Sequence, residues 1–138
     1  IVRGGGHIYI VPDTYCVYLV RETFKGVAKN NFGNGKWNIL TVYYTKQMKS
    51  LSIRHFVPLL FLLSLIVPLV MMLFYFSAVI ISLISLLLYL ISISVISLSL
   101  SLKKKLCFSY LMMTFVVLHL SYGWGSLNGI ISVLKYGK

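Results

Sequence analysis

Residues 55–102 read HFVPLLFLLSLIVPLVMMLFYFSAVIISLISLLLYLISISVISLSLSL, 48 positions without a Lys, Arg, Asp or Glu. A helix in the core of a water-soluble protein needs one apolar stripe, whereas a bilayer crossing takes about 20 predominantly apolar residues. The stretch is therefore read as two transmembrane helices, over about residues 56–74 and 77–102. A second charge-free run, residues 106–134, has room for one more crossing over about residues 106–122, followed by a C-terminal segment at 123–138. The expected fold is a mainly α membrane protein with about three transmembrane helices. A short β-strand and an amphipathic interfacial helix precede them, so residues 1–54 and 55–138 form two parts.

Composition points the same way. Hydrophobic residues make up 59% of the 138, and the mean hydropathy is +0.90. That is too much for the core of a small soluble domain. The charge is lopsided, with 13 Lys and Arg against Asp13 and Glu22. Eight of the cations precede His55 (Arg3, Arg21, Lys25, Lys29, Lys36, Lys46, Lys49 and Arg54), three are Lys103, Lys104 and Lys105, and two are Lys135 and Lys138. Positive residues flanking membrane helices favour the cytoplasmic side, so the first segment and the triple-lysine loop are both expected there, joined by two crossings. A third crossing would carry Lys135 and Lys138 outward, a conflict that a re-entrant or interfacial C-terminal helix removes. The net charge of +11 suits anionic lipid headgroups, because the cations crowd beside the apolar runs; a nucleic-acid partner is not expected.

The polar first part has its own pattern. Ile8, Tyr9, Ile10 and Val11 lie between a triple glycine and Pro12-Asp13 and read as a strand, with residues 15–20 as one further candidate. A lone strand needs a sheet, so the remainder of that sheet is expected upstream of Ile1. Over residues 21–32 the period becomes helical. Phe24, Val27, Ala28 and Phe32 share one face and Lys25 and Lys29 another, as in a helix lying in the headgroup layer or packed on a soluble domain. Gly33-Asn34-Gly35 is read as its end, and Lys36-Trp37 as an aromatic and cationic anchor at the interface.

Within the apolar runs, Pro58 falls in a first helical turn, and Pro68 is expected to kink the first transmembrane helix. Ser85, Ser92 and Ser99 recur every seven residues, a stripe suited to close packing and to bonding back onto carbonyls. Gly125 and Gly129 make a GxxxG step, which is read as close packing or a break in the helix rather than as a dimerisation face. Cys16 and Cys107 are far apart in sequence and in different surroundings, and are read as unpaired thiols.

Two acidic residues supply neither a carboxylate pair for acid–base work nor a ligand cluster for a divalent ion, so no catalytic residue and no metal ligand is assigned. His55 is placed in the headgroup zone. His119, inside a transmembrane helix, is read as hydrogen-bonded to a neighbouring carbonyl. Gly4-Gly5-Gly6 lacks the Lys and helix of a phosphate loop and reads as a turn.

The order of four motifs carries more. RGGGHIYIVPD at 3–13, YLVRETFKGVAKNNFGNGKWN at 18–38, SLSIRHFVPLLF at 50–61 and LHLSYGWGSLNGIISVLK at 118–135 together resemble the C-terminal third of family 2 glycosyltransferases of the succinoglycan-biosynthesis type. The resemblance implies a preceding α/β nucleotide-sugar domain with an Asp-x-Asp motif, a catalytic Asp and a divalent Mg or Mn ion, none of which belongs to these residues. It implies a nucleotide-sugar donor, a polyprenyl-linked or polysaccharide acceptor, and the bacterial inner (plasma) membrane with the first segment cytoplasmic. Related processive enzymes carry Gln-x-x-Arg-Trp near this point; here Asn30 stands for the Gln, Gly33 occupies the Arg place, and Trp37 follows Lys36. The substrate-binding candidates are thus Arg21, Asn30, Lys36 and Trp37, with seating on headgroups as the competing role. The competing functions are a non-enzymatic small integral membrane protein, such as a transporter or flippase subunit or an assembly factor, and a basic membrane-surface module.

Overall fold

The computed structural model describes residues 5–7, 9, 12–47 and 52–136. Four helices dominate them: α1 Phe24–Thr45, α2 Val57–Met71, α3 Val79–Lys104 and α4 Phe108–Tyr136, with short 3₁₀ turns at Ile53–His55 and Phe76–Ala78. No strand is present among the described residues. The candidate at 15–20 is irregular chain with exposed Tyr15, Val17 and Leu19, because no neighbouring strand satisfies its backbone. Of the strand expected at 8–11, Ile8, Ile10 and Val11 lie outside the described residues.

Two segments are long and apolar enough to cross a membrane, Ile53–Met71 and Phe76–Lys104. Only 22% and 11% of their most apolar windows are buried inside the molecule, unlike a soluble core helix. Leu83, Leu87, Ile91 and Val95 of α3 are each more than half exposed. The two helices form an antiparallel hairpin. Ser82 Oγ donates to the Leu65 carbonyl at 2.9 Å, and Phe61 stacks on Tyr89 with ring centroids 3.9 Å apart. Arg54 therefore lies towards the end of the hairpin that carries Lys103, Lys104 and Lys105. Pro58 occupies the first turn of α2, where its missing N–H costs nothing, while Pro68 lies inside the helix and gives no hydrogen bond to the Ser64 carbonyl.

Two helix assignments depart from the sequence reading. The first concerns α1, which does not stop at Gly33. Thr23 caps its start by accepting from the Gly26 N–H at 3.1 Å, and the helix runs through both glycines to Thr45, ending on Lys46 in the left-handed region at φ 52°. A helical glycine costs about 1 kcal/mol relative to alanine. At Gly35 that cost is offset by close approach: a Cβ there would lie 2.2 Å from the Tyr122 carbonyl oxygen of α4. The second concerns α4, one continuous helix of 29 residues rather than a crossing over 106–122 plus a separate segment, and it is not among the two long apolar spans. Of the two roles read for the Gly125 and Gly129 step, close packing is the one observed, and Gly123 joins it. A Cβ on Gly125 would fall 2.0 Å from the Phe32 carbonyl oxygen of α1, and one on Gly123 would fall 2.5 Å from that of Pro58 in α2.

α1 and α4 are parallel neighbours. Phe24 stacks on Tyr110 near their starts, the backbones of Phe32 and Gly125 touch midway, and Leu40 and Tyr43 share a recess with Val133 and Tyr136 near their ends. The apolar face predicted for α1 is real at Phe24, Ala28 and Phe32, but α4 covers part of it, so α1 belongs to the helix bundle.

The serine stripe also shifts. Ser82 and Ser97 are the buried serines of α3, whereas Ser92 and Ser99 are exposed. Back-bonding does occur at Ser92, which donates to the Leu88 carbonyl at 2.8 Å.

Candidate ligand-binding cleft on helix α1

Helical spacing places Gly26, Asn30, Gly33 and Trp37, with Lys29 and Asn34 beside them, along one side of α1. Arg21, in the chain just before the Thr23 cap, closes one end. Together these seven residues line a cleft of about 530 Å³. Gly33 sits on the open floor, where an added Cβ would meet nothing within 4 Å. The wall offers the Arg21 guanidinium, the Lys29 ammonium and the amides of Asn30 and Asn34, with the half-exposed indole of Trp37 at the far end. Arg21 Nη1 donates to the Tyr18 hydroxyl at 2.7 Å, which aims the guanidinium while leaving further donors. Two cations, two amides and a flat aromatic form a set that can hold a phosphate or pyrophosphate oxygen cluster and stack a ring.

Three of the four candidates from sequence, Arg21, Asn30 and Trp37, are thus brought together. Lys36 is not. It follows round the helix to another face, half-buried in the recess with Leu40, Tyr43, Tyr44, Ser132, Val133 and Tyr136, and its backbone is the surface against which Gly129 packs. The sequence reading missed Lys29 and Asn34, although the helical period contained the signal: both lie three or four residues from Gly26, Asn30, Gly33 or Trp37.

A second polar cluster stands behind the cleft. The Asn38 amide of α1 donates to the Tyr122 hydroxyl of α4, whose oxygen is also 3.1 Å from His55 Nδ1 in the turn before α2. Three of the four resembling motifs therefore meet at one node, through Gly35, through His55 and Pro58, and through the Tyr122-Gly123-Trp124-Gly125 run. Their sequence character reflects helix packing as much as ligand contact.

A third feature lies between the hairpin and α4, a cavity of about 410 Å³ lined by Phe61, Ser64, Ser85, Tyr89, Ser92 and His119 among others. His119 Nδ1 is 2.9 Å from the Phe115 carbonyl, as expected of an intrahelical partner, and 3.2 Å from the Tyr89 hydroxyl. Cys16 and Cys107 are free and exposed. No cluster of three metal-ligating side chains occurs among the described residues. Comparison with protein-family models, with curated proteins and with solved structures finds no match.

Proposed function

We propose that these residues form the membrane-seated part of a glycosyltransferase that moves a sugar from a nucleotide-sugar donor to a lipid-linked or polysaccharide acceptor. The protein would reside in the bacterial inner membrane with the first segment cytoplasmic. The observation that carries the reading is the convergence of Arg21, Asn30 and Trp37 with Lys29 and Asn34 in one cleft on α1, a helix fixed by α4 beside the membrane hairpin. In this reading Arg21 and Lys29 take negative oxygens of a diphosphate, Asn30 and Asn34 orient it, and Trp37 stacks on a ring. In this reading the carboxylate base and a divalent ion would be supplied by a nucleotide-sugar domain outside these residues. Seating the cleft at the bilayer confines its encounter with an acceptor that diffuses in the membrane plane, which raises effective concentration.

The test is sugar transfer by the protein that carries these residues, purified in detergent, from a panel of nucleotide sugars to a polyprenyl phosphate. R21Q is expected to raise KM for donor or acceptor about tenfold or more, the loss of one hydrogen bond to a charged group. K36Q, in the recess outside the cleft, is expected to leave KM unchanged. Absence of transfer with every donor, together with absence of nucleotide-sugar binding, would overturn the reading. One observation favours the alternative of a non-enzymatic membrane protein: the glycine contacts make α1 an integral member of the bundle, as a transporter or assembly subunit would need.

A further inference from the structure

On the other side of Lys29 from the polar cleft runs a groove of about 720 Å³ between α1, α2 and α4. Its wall is Ala28 and Phe32 of α1, Leu62 of α2, and Leu120, Ser121 and Trp124 of α4, with Lys25 and Lys29 along one edge. The Ser121 hydroxyl is turned onto its own helix, 2.5 Å from the Val117 carbonyl, so it adds little polarity. The groove is within the size range of ligand sites, about 300–1,000 Å³.

We infer that this groove holds one anionic phospholipid, its phosphate between Lys25 and Lys29 and an acyl chain along Phe32, Leu62, Leu120 and Trp124. The inference does not rest on the transferase reading, although Lys29 stands on the rim of both the cleft and the groove. Three observations define the occupant. Leu62 belongs to a segment long and apolar enough to cross a membrane, so the groove opens onto the hydrocarbon that would surround that segment. Lys25 and Lys29 are one helical turn apart and exposed, and with Asp13 and Glu22 the only acids in the chain, the molecule has almost no anion of its own to offer them. The first turn of α1 contains Lys25 and no acidic residue, so that ammonium faces the positive end of the helix dipole, where an external anion relieves repulsion. An occupant must therefore be apolar along most of its length and negatively charged at one end. A zwitterionic lipid offsets the phosphate with its own cation, and a free phosphate leaves the apolar wall uncovered.

The experiment is thermal unfolding of the full chain in neutral detergent with added dioleoyl phosphatidylglycerol, dioleoyl phosphatidylcholine or inorganic phosphate. Phosphatidylglycerol is expected to raise the midpoint by about 5 °C at saturation, while the other two give less than about 1 °C. K25Q/K29Q is expected to lose the phosphatidylglycerol shift. The single variants K25Q and K29Q, each expected to reduce it, guard against a folding failure of the double. K103Q/K104Q/K105Q, which removes three cations that do not line the groove, is expected to keep the shift. Equal stabilisation by phosphatidylcholine would overturn the proposal, as would a shift reproduced by inorganic phosphate alone. Loss of the shift in the 103–105 variant with retention in K25Q/K29Q would overturn it too, placing the lipid at the loop.

Discussion

The hydroxyl of Tyr122 lies 3.1 Å from Nδ1 of His55, while the same oxygen accepts from the Asn38 amide. One side chain of α4 thereby joins α1 to the turn that leads into α2, at the level where Gly35 and Gly123 bring the three backbones together. Helix position in this molecule is set by backbone contact at glycines and fixed in rotation by this hydroxyl.

Y122F keeps the ring and removes the shared hydroxyl. It should destabilise the fold by about 1–3 kcal/mol, because Asn38 and His55 are left part-buried without that partner. Denaturant unfolding in detergent micelles measures the loss. A double-mutant cycle of Y122F with H55F should show a coupling of at least about 0.5 kcal/mol, as for residues sharing one network.

Gly33 and Gly35 of α1 predict opposite effects. G33A meets open space and gains the helical preference of alanine, so it should stabilise by about 0.5–1 kcal/mol. G35A forces a Cβ against the Tyr122 and Ser126 backbone of α4 and should destabilise by about 1–3 kcal/mol or more. Melting curves of the two variants side by side decide it.

Much of this was legible from residues alone, and the misses share one cause. The hairpin follows from an uninterrupted apolar run, a signal that needs no tertiary information. The face made by Phe24, Ala28 and Phe32 was visible because it is local, whereas the Thr23 cap was not read from the sequence. The end of α1 was misplaced because Gly33-Asn34-Gly35 is a turn signal in isolation, and its value in a helix depends on a partner backbone 87 positions away at Tyr122. The end expected for the third apolar helix near Tyr122 failed for the same reason, as did the heptad serines, since packing chose Ser82 and Ser97 instead. In the cleft, Arg21, Asn30 and Trp37 were identified through resemblance, while Lys36 was misplaced because adjacency to Trp37 in sequence means about 100° around a helix.

Ser82 and Ser97, both buried in α3, should respond differently to loss of the hydroxyl. S82A removes the bond to the Leu65 carbonyl and should cost about 0.6 kcal/mol, typical of such bonds between membrane helices. Ser97 Oγ has no hydrogen-bond partner, so S97A should be neutral or mildly stabilising. Steric-trap or denaturant unfolding in micelles distinguishes the two.

Cys107 follows the Lys103–Lys105 turn, and Phe24 at the start of α1 stacks on Tyr110 in the first turn of α4, which puts Lys25 and Cys107 at the same end of the molecule. A membrane-impermeant maleimide should label Cys107, and the K25C variant with Cys16 and Cys107 replaced by Ser, from the same face of sealed vesicles and neither from the other. Labelling from opposite faces would mean that α1 does not lie alongside α4.

The parallel seating of α1 on α4 is tested most directly by cysteine cross-linking in native membranes, with Cys16 and Cys107 replaced by Ser. The pairs F24C/Y110C and L40C/V133C should both couple through a short bis-maleimide, because each pair meets at one end of the two helices. F24C/V133C, at opposite ends, should not. Coupling of F24C with V133C in preference to Y110C would contradict the account.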